Sequence, residues 1–354
     1  MTTAPRAASP VDFETHGAYG APKPAVVPAP VPQSAPTPPP TATSTQPSQP
    51  SQPPASAAKP AGRPGPAFPH RVNAADAEPG RYHFYAAKPC PFCQRSMIIR
   101  ELKGLQDVIS VSILDPMRDG RGWAFREGPG HGLDEVNGFA LLREAYEASD
   151  PAFAGPVSAP VLWDRKENRI ATNDFRTLDI DIATSFDRWA RNDVDLYPEQ
   201  LRPEIDELNE FLFERIHNGP YRCGFAPSQD TYEREARALF EALDEMEQRL
   251  ATRRYLFGTQ LTVSDIRLFV TLARFDAVYA THFKANLRRI TDYPNLWAYA
   301  RDLYQRPAFS STTDFDQIKQ HYFRTHTWIN PSQLVPLGPE VDWSELGDRA
   351  HLVG

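Results

Sequence analysis

The sequence predicts a two-part fold, an α/β domain followed by an all-α bundle, behind a tail with no core of its own. Three observations carry this. Composition breaks near residue 80, with twenty of the 36 prolines in residues 1–80. Short strand and helix patterns alternate from Arg81 onward. After about Tyr197 every periodic stretch is helical.

The tail is predicted over residues 1–78. Between Tyr19 and Gly62 the only charged residues are Lys23 and Lys59, and the rest is mainly Pro, Ala, Ser, Thr and Gln. Such a stretch buries too little to fold and reads as disordered or polyproline-like. Thr37-Pro38-Pro39-Pro40 has the form of a ligand for an SH3-like groove, but a solubilising tail is the simpler reading.

The α/β domain is predicted over 79–190. Tyr82-His83-Phe84-Tyr85 forms a first strand, and Arg95 to Leu105 a helix with Met97, Ile98 and Leu102 at helical spacing. Val108 to Ile113 alternates as a second strand. The glycine-rich stretch from Gly120 to Gly138 is loop, and Phe139 to Ala148 is helix. Pro160-Val161-Leu162-Trp163 and Asn168-Arg169-Ile170-Ala171 supply the last two strands. This order suits a thioredoxin-like sandwich.

The bundle is predicted over 195–325, with a C-terminal extension over 326–354. Leu201, Ile205, Leu208, Leu212 and Ile216 mark one amphipathic helix; Tyr232, Ala236, Leu239, Leu243, Met246 and Leu250 mark another. Thr262-Val263-Ser264-Asp265 reads as a capping box opening a third helix, apolar enough to lie at the centre. Pro294 opens a fourth.

Composition bounds the function. There are 354 residues, 41% hydrophobic and 23% charged, enough for one large or two ordinary domains. The net charge of −7 lacks the basic footprint of a nucleic-acid binder. No run of about 18 apolar residues exists to cross a membrane. Met1 to Pro10 carries one Arg with no apolar core behind it, so no signal peptide is expected. Three cysteines are too few for a secreted disulfide framework. A cytoplasmic location is expected, where a Cys-x-x-Cys pair is redox-active or metal-binding.

Chemistry is expected at Lys88-Pro89-Cys90-Pro91-Phe92-Cys93-Gln94-Arg95, after a strand and opening a helix. A thiol there faces unpaired amides and the positive end of the helix dipole, which favour thiolate. Pro91 presets the first turn, and Arg95 adds positive charge one turn on. Cys93 sits on the same face and could resolve a mixed disulfide at Cys90. A buried structural pair is the bland alternative. Zinc would need two more ligands, and no second Cys-x-x-Cys exists, so no metal is expected. Ser158-Ala159-Pro160-Val161 lies where thioredoxin-like folds place a cis-proline facing the cysteine; an ordinary edge-strand proline is the alternative.

Residues 80–340 resemble the glutathionyl-hydroquinone reductases, the xi-class glutathione transferases. The resemblance rests on Arg81-Tyr82-His83-Phe84-Tyr85, Gly122-Trp123, Pro160-Val161-Leu162-Trp163-Asp164, Asp195-Leu196-Tyr197-Pro198, Asn218-Gly219-Pro220-Tyr221-Arg222-Cys223-Gly224, Arg274-Phe275-Asp276-Ala277-Val278-Tyr279, His282-Phe283-Lys284 and Ile329-Asn330-Pro331. It implies a thioredoxin-like domain followed by a glutathione-transferase-type helical bundle, and a homodimer. It implies a small aromatic thiol-conjugate as substrate and glutathione as co-substrate. Cys90 matches the family nucleophile and Trp123 a residue beside the bound thiol. Ala159 stands before the cis-proline, where the family usually has Val. Tyr221 and Tyr322 match tyrosines of the quinone pocket. Phe92, Arg95, Pro160, Asp174 and Phe175 complete the thiol-binding set.

The sequence departs from the family in two places. The motif Cys-Pro-Trp-Ala-His-Arg is here Cys90-Pro91-Phe92-Cys93-Gln94-Arg95, a dithiol. The Glu-Ser pair that holds the γ-glutamyl end of glutathione falls on Asp174-Phe175, and Phe175 has no hydroxyl to donate. A low-molecular-weight thiol other than glutathione is therefore also expected as a candidate. Three functions follow: a reductase of thiol conjugates of hydroquinone-like aromatics, a glutaredoxin-like dithiol reductase, or a non-catalytic binding module of transferase fold.

Overall fold

The computed structural model describes residues 4–19, 65–346 and 348–352. A four-stranded sheet is built from β1 (Tyr82–Ala86), β2 (Ile109–Ile113), β3 (Val161–Asp164) and β4 (Arg169–Thr172), in the order β2-β1-β3-β4. β1 runs parallel to β2, with Phe84 opposite Val111, and antiparallel to β3, with Phe84 opposite Leu162. Its helices are α2 (Pro91–Leu102), α3 (Leu142–Ser149) and α4 (Leu178–Ser185); a further short helix, α1 (Phe13–His16), precedes them.

Both faces of the sheet are covered, so β1 is buried at every position. Tyr82, Phe84 and Leu162 face α2 and α4 and continue into the core of the second domain. Tyr85, Val161 and Trp163 face the other way, against Phe125, Leu142 and Tyr146. Residues of alternating parity thus serve two cores, as strand geometry requires.

The second domain holds α5 (Arg202–Phe211), α6 (Gly219–Gly224), α7 (Gln229–Arg249), α8 (Val263–Arg274), α9 (Ala280–His282), α10 (Pro294–Tyr304), α11 (Pro307–Ser310) and α12 (Phe315–Thr325). Wide π-type turns follow α5, over Leu212–His217, and α8, over Phe275–Tyr279. Every residue of α8 is buried. Its start is a closed box: Asp265 accepts from the Thr262 amide at 2.9 Å and from the Leu256 amide at 2.8 Å. Trp343, in the C-terminal extension, packs on Trp297, Tyr304 and Phe315.

The expected tail is corrected at both ends. Residues 65–78 are fastened to the α/β domain: the Phe68 amide donates to Asn173 Oδ1 at 2.8 Å, the Val72 amide to Asp181 Oδ2 at 2.9 Å, and Val72 is buried. Residues 6–19 lie along the stretch on both sides of Trp123, with contacts from Arg118 to Arg126 and on to Gly138. These contacts are mostly backbone and polar groups, which hydrophobic patterning does not register. Thr37-Pro38-Pro39-Pro40 lies outside the described residues.

Candidate active site

Cys90 is the residue immediately before α2, in extended conformation, with Pro91 as the first helical residue. It is half-buried. Its thiol donates to the carbonyl of Ala159 at 3.6 Å, across a cis Ala159–Pro160 bond. The loop carrying that bond is held from behind. The Tyr146 hydroxyl donates to the Ser158 carbonyl at 2.7 Å and accepts from the Ser158 amide at 3.2 Å and from Asn173 Nδ2 at 3.0 Å.

Cys93 is fully buried. Burial, with Cys90 beside it, pushes its thiol well above the ordinary range. It is therefore a neutral donor next to the half-buried Cys90 sulfur rather than a competing thiolate.

The cation under the cysteine loop comes from the second domain. Arg274, at the end of α8, is completely buried. Its guanidinium donates to the carbonyls of Pro89 at 3.0 Å, Lys88 at 2.9 Å and Val270 at 2.7 Å, and to Gln94 Oε1. Gln94 in turn donates to Thr313 Oγ1 at 2.7 Å. Among the described residues no carboxylate ion-pairs with Arg274, so its charge is left to act on the thiols and phenols around it. Its sequence signal is an arginine closing a helix whose preceding turns are largely apolar.

Arg95 is within electrostatic reach of both Cys90 and Cys93, and it is held from behind. Its head is buried, ion-paired with Asp179 at 3.3 Å, bonded to the Phe175 carbonyl and stacked on Phe92 at 4.9 Å. Arg267 grips the same Asp179 at 2.8 Å. Arg95 thus serves the join between α2, α4 and α8.

The residues expected to bind the thiol fall into two groups. Phe92 packs on Phe175, with ring centroids 4.6 Å apart, and Phe175 on Phe213 at 6.2 Å. Asp174 accepts from the Arg176 amide and the Thr177 hydroxyl, both at 3.0 Å, capping the approach to α4. In the second group Trp123 is buried and stacks on His321 at 5.1 Å and 12°. Nδ1 of His321 donates to the Pro116 carbonyl at 2.6 Å, and burial keeps the ring neutral, leaving Nε2 as an acceptor.

Tyr221 and Tyr322 come together, their hydroxyls 2.5 Å apart. Tyr221 lies in α6, with Pro220 in the first turn; Tyr322 lies in α12. Tyr279, unassigned by sequence, adds a third hydroxyl 3.4 Å from Tyr322. Burial pushes Tyr322 and Tyr279 well up, so both are neutral donors. Phe225, Phe283, His282 and His326 pack around them. Burial holds His282 down to about 4 and His326 well below its ordinary value, so both imidazoles are neutral.

A thiol at a helix start, facing a cis-proline in a thioredoxin-like sheet and roofed by a helical bundle, defines a thiol-handling enzyme of the glutathione-transferase class. The C-terminal domain of glutathione S-transferases matches residues 229–302. Glutathionyl-hydroquinone reductase YqjG of Escherichia coli is 43% identical over 276 residues, 78% of this chain and 83% of that protein. Its glutathione-bound structure superposes with a TM-score of 0.78 at 40% identity, covering 80% of this chain and 96% of that one. The xi glutathione transferase of Phanerochaete chrysosporium gives 0.76 at 41% identity, over 78% and 97%. The chain belongs to the xi-class glutathione transferases, the family of the glutathionyl-hydroquinone reductases. Among the described residues no cluster of metal-binding side chains is present and no helix is long and apolar enough to cross a membrane.

Proposed function

We propose that the chain is a thiol-dependent reductase that removes the thiol from conjugates of hydroquinone-like aromatics through a mixed disulfide at Cys90. The Cys90 thiolate attacks the thioether sulfur. The sulfur–carbon bond breaks with its electron pair going to the ring, which takes a proton and leaves as the hydroquinone. A second thiol, as thiolate, then attacks the Cys90 mixed disulfide, giving a symmetrical disulfide and restoring the enzyme thiolate. Over the cycle the thiols are oxidised and the ring carbon is reduced.

The observation that carries the reading is Cys90 at the start of α2 with its thiol on the Ala159 carbonyl across the cis Ala159–Pro160 bond, and the paired hydroxyls of Tyr221 and Tyr322 support it. Ala159 offers its backbone to the thiol's peptide. Trp123 and Phe92 wall the thiol in, and the two phenols address the ring oxygens. The name of the relative YqjG points to the same reaction. The thiol is glutathione or another low-molecular-weight thiol; Phe175 weighs against a γ-glutamyl end. We read the enzyme as a cytoplasmic homodimer, which size-exclusion chromatography tests.

The test is Cys90→Ser against a synthetic glutathionyl-hydroquinone, followed by chromatography of released hydroquinone. Turnover is expected to vanish. Release at the wild-type rate would sink the proposal. The buried Cys93 beside Cys90 favours one second reading, a dithiol disulfide reductase in which Cys93 displaces the bound thiol.

A further inference from the structure

We propose that residues 6–19 form a strap that completes the thiol site, with Tyr19 as a positioning residue that fixes Trp123 through Arg118. This rests on Trp123 being the ring beside the bound thiol. The guanidinium of Arg118 is sandwiched, 3.7 Å from the Tyr19 ring centre and 4.1 Å from that of Trp123. His321 also stacks on Trp123, and its Nε2 faces Arg118 Nη2 at 3.5 Å, so it lies beside Arg118 against the indole. The strap segment thus ends on the outer plane of a layered assembly whose inner plane belongs to the site.

The strap is fastened along its length. The Ala8 amide donates to the Phe125 carbonyl at 3.0 Å. Arg126 Nε donates to the Ser9 carbonyl at 2.8 Å, and Arg121 Nη2 to the Pro10 carbonyl at 2.8 Å. The Asp12 amide reaches Asp119 Oδ2 at 3.2 Å, and Asp12 itself caps α1. The Gly120 amide donates to the Gly17 carbonyl at 2.7 Å. A Cβ at Gly120 would fall 1.7 Å from the His16 carbonyl oxygen, so the strap docks only against a glycine.

Trp123 needs such support. It follows Gly122, which has φ of +88°, and Gly120 lies just before, so its own backbone is permissive. Without the Tyr19 ring, one face of the Arg118 cation returns to water and its hold on Trp123 weakens.

The experiment compares Tyr19→Ala, Tyr19→Phe, Gly120→Val and Trp123→Ala in the full chain. Steady-state kinetics are read with glutathione as the resolving thiol, and hydrogen exchange is read at amides 8–17. Tyr19→Ala is expected to raise KM for the thiol roughly tenfold with kcat within about twofold, and Tyr19→Phe to keep the wild-type KM. Gly120→Val is expected to lose protection of the strap amides and raise KM alike. A wild-type KM in Tyr19→Ala, or in a Gly120→Val protein whose strap has lost protection, overturns the inference. If Trp123→Ala itself leaves KM unchanged, the reading of the thiol site fails first; if only Trp123→Ala raises it, the strap alone is refuted.

Discussion

Replacing Arg274 tests the electrostatics of the nucleophile most directly. Its guanidinium touches the carbonyl of Pro89, the residue bonded to Cys90. From chain geometry the charge lies about 5–8 Å from the Cys90 sulfur. A unit charge at that range, with an effective dielectric of about 20, favours a thiolate by about 2–3 kcal/mol. That equals about 1.5–2 pKa units. Arg274→Met should therefore move the midpoint of Cys90 alkylation by iodoacetamide, followed from pH 4 to 10, upward by about 1–2 units. Arg274→Lys keeps a charge but loses the fork that spans Lys88 and Pro89, so it should shift the midpoint less. The Met variant also strands buried carbonyls at a cost of about 1–3 kcal/mol each, so folding must be verified by circular dichroism. A folded Arg274→Met protein with a wild-type alkylation midpoint would refute the argument and leave the helix start as the source of activation.

Three further outcomes are expected. Cys93→Ser should retain hydroquinone release within about threefold while losing turnover of dithiol-requiring disulfides, because the buried Cys93 thiol serves only a resolving step; equal loss of both activities contradicts this. Phe175→Ser should lower KM for glutathione about tenfold, the effect of one hydrogen bond worth about 1.4 kcal/mol, with a lower Tm because the ring packs on Phe92 and Phe213; an unchanged KM in the folded variant denies Phe175 its role in thiol choice. Asp179→Asn should cost about 3–5 kcal/mol in denaturant unfolding, since it strands Arg95 and Arg267 in the interior. Burial alone would raise the Asp179 carboxyl, but Arg267 and Arg95 outweigh it and hold it below 3.8. Its contribution is then full above about pH 4 and fades as pH falls through the lower folded value. Wild type should thus lose more stability than Asp179→Asn on acidification across that window.

What patterning could read, it read at the level of elements. Every strand of the sheet was legible, because alternation and β-branched residues announce strands directly. The Cys-Pro-Phe-Cys segment was legible because its chemistry is local: the sulfur, the proline and the helix start lie within a few residues. Features that depend on distant partners were not. Arg95 reads correctly as a cation near the thiols, but Asp179 and Phe175, which hold it, lie far off in sequence. Arg274 lies 184 residues from Cys90 in sequence and meets its loop only in the fold. The short helix that carries Tyr221 leaves no periodic pattern long enough to read, although Pro220 in its first turn is compatible with a helix. Residues 6–19 attach through carbonyls, amides and arginines, which leave no periodic trace.

The two paired phenols come from α6 and α12, whereas Cys90 and cis-Pro160 belong to the sheet domain. In the proposed reaction, leaving-group preference and sulfur reactivity would accordingly be encoded in separate stretches of chain. On that proposal, substitutions around Tyr221, Tyr279 and Tyr322 would retune which ring is accommodated while the attacking atom stays as it is. Diversification toward new aromatics is open to this scaffold so long as the Arg274 bridge between the halves is kept.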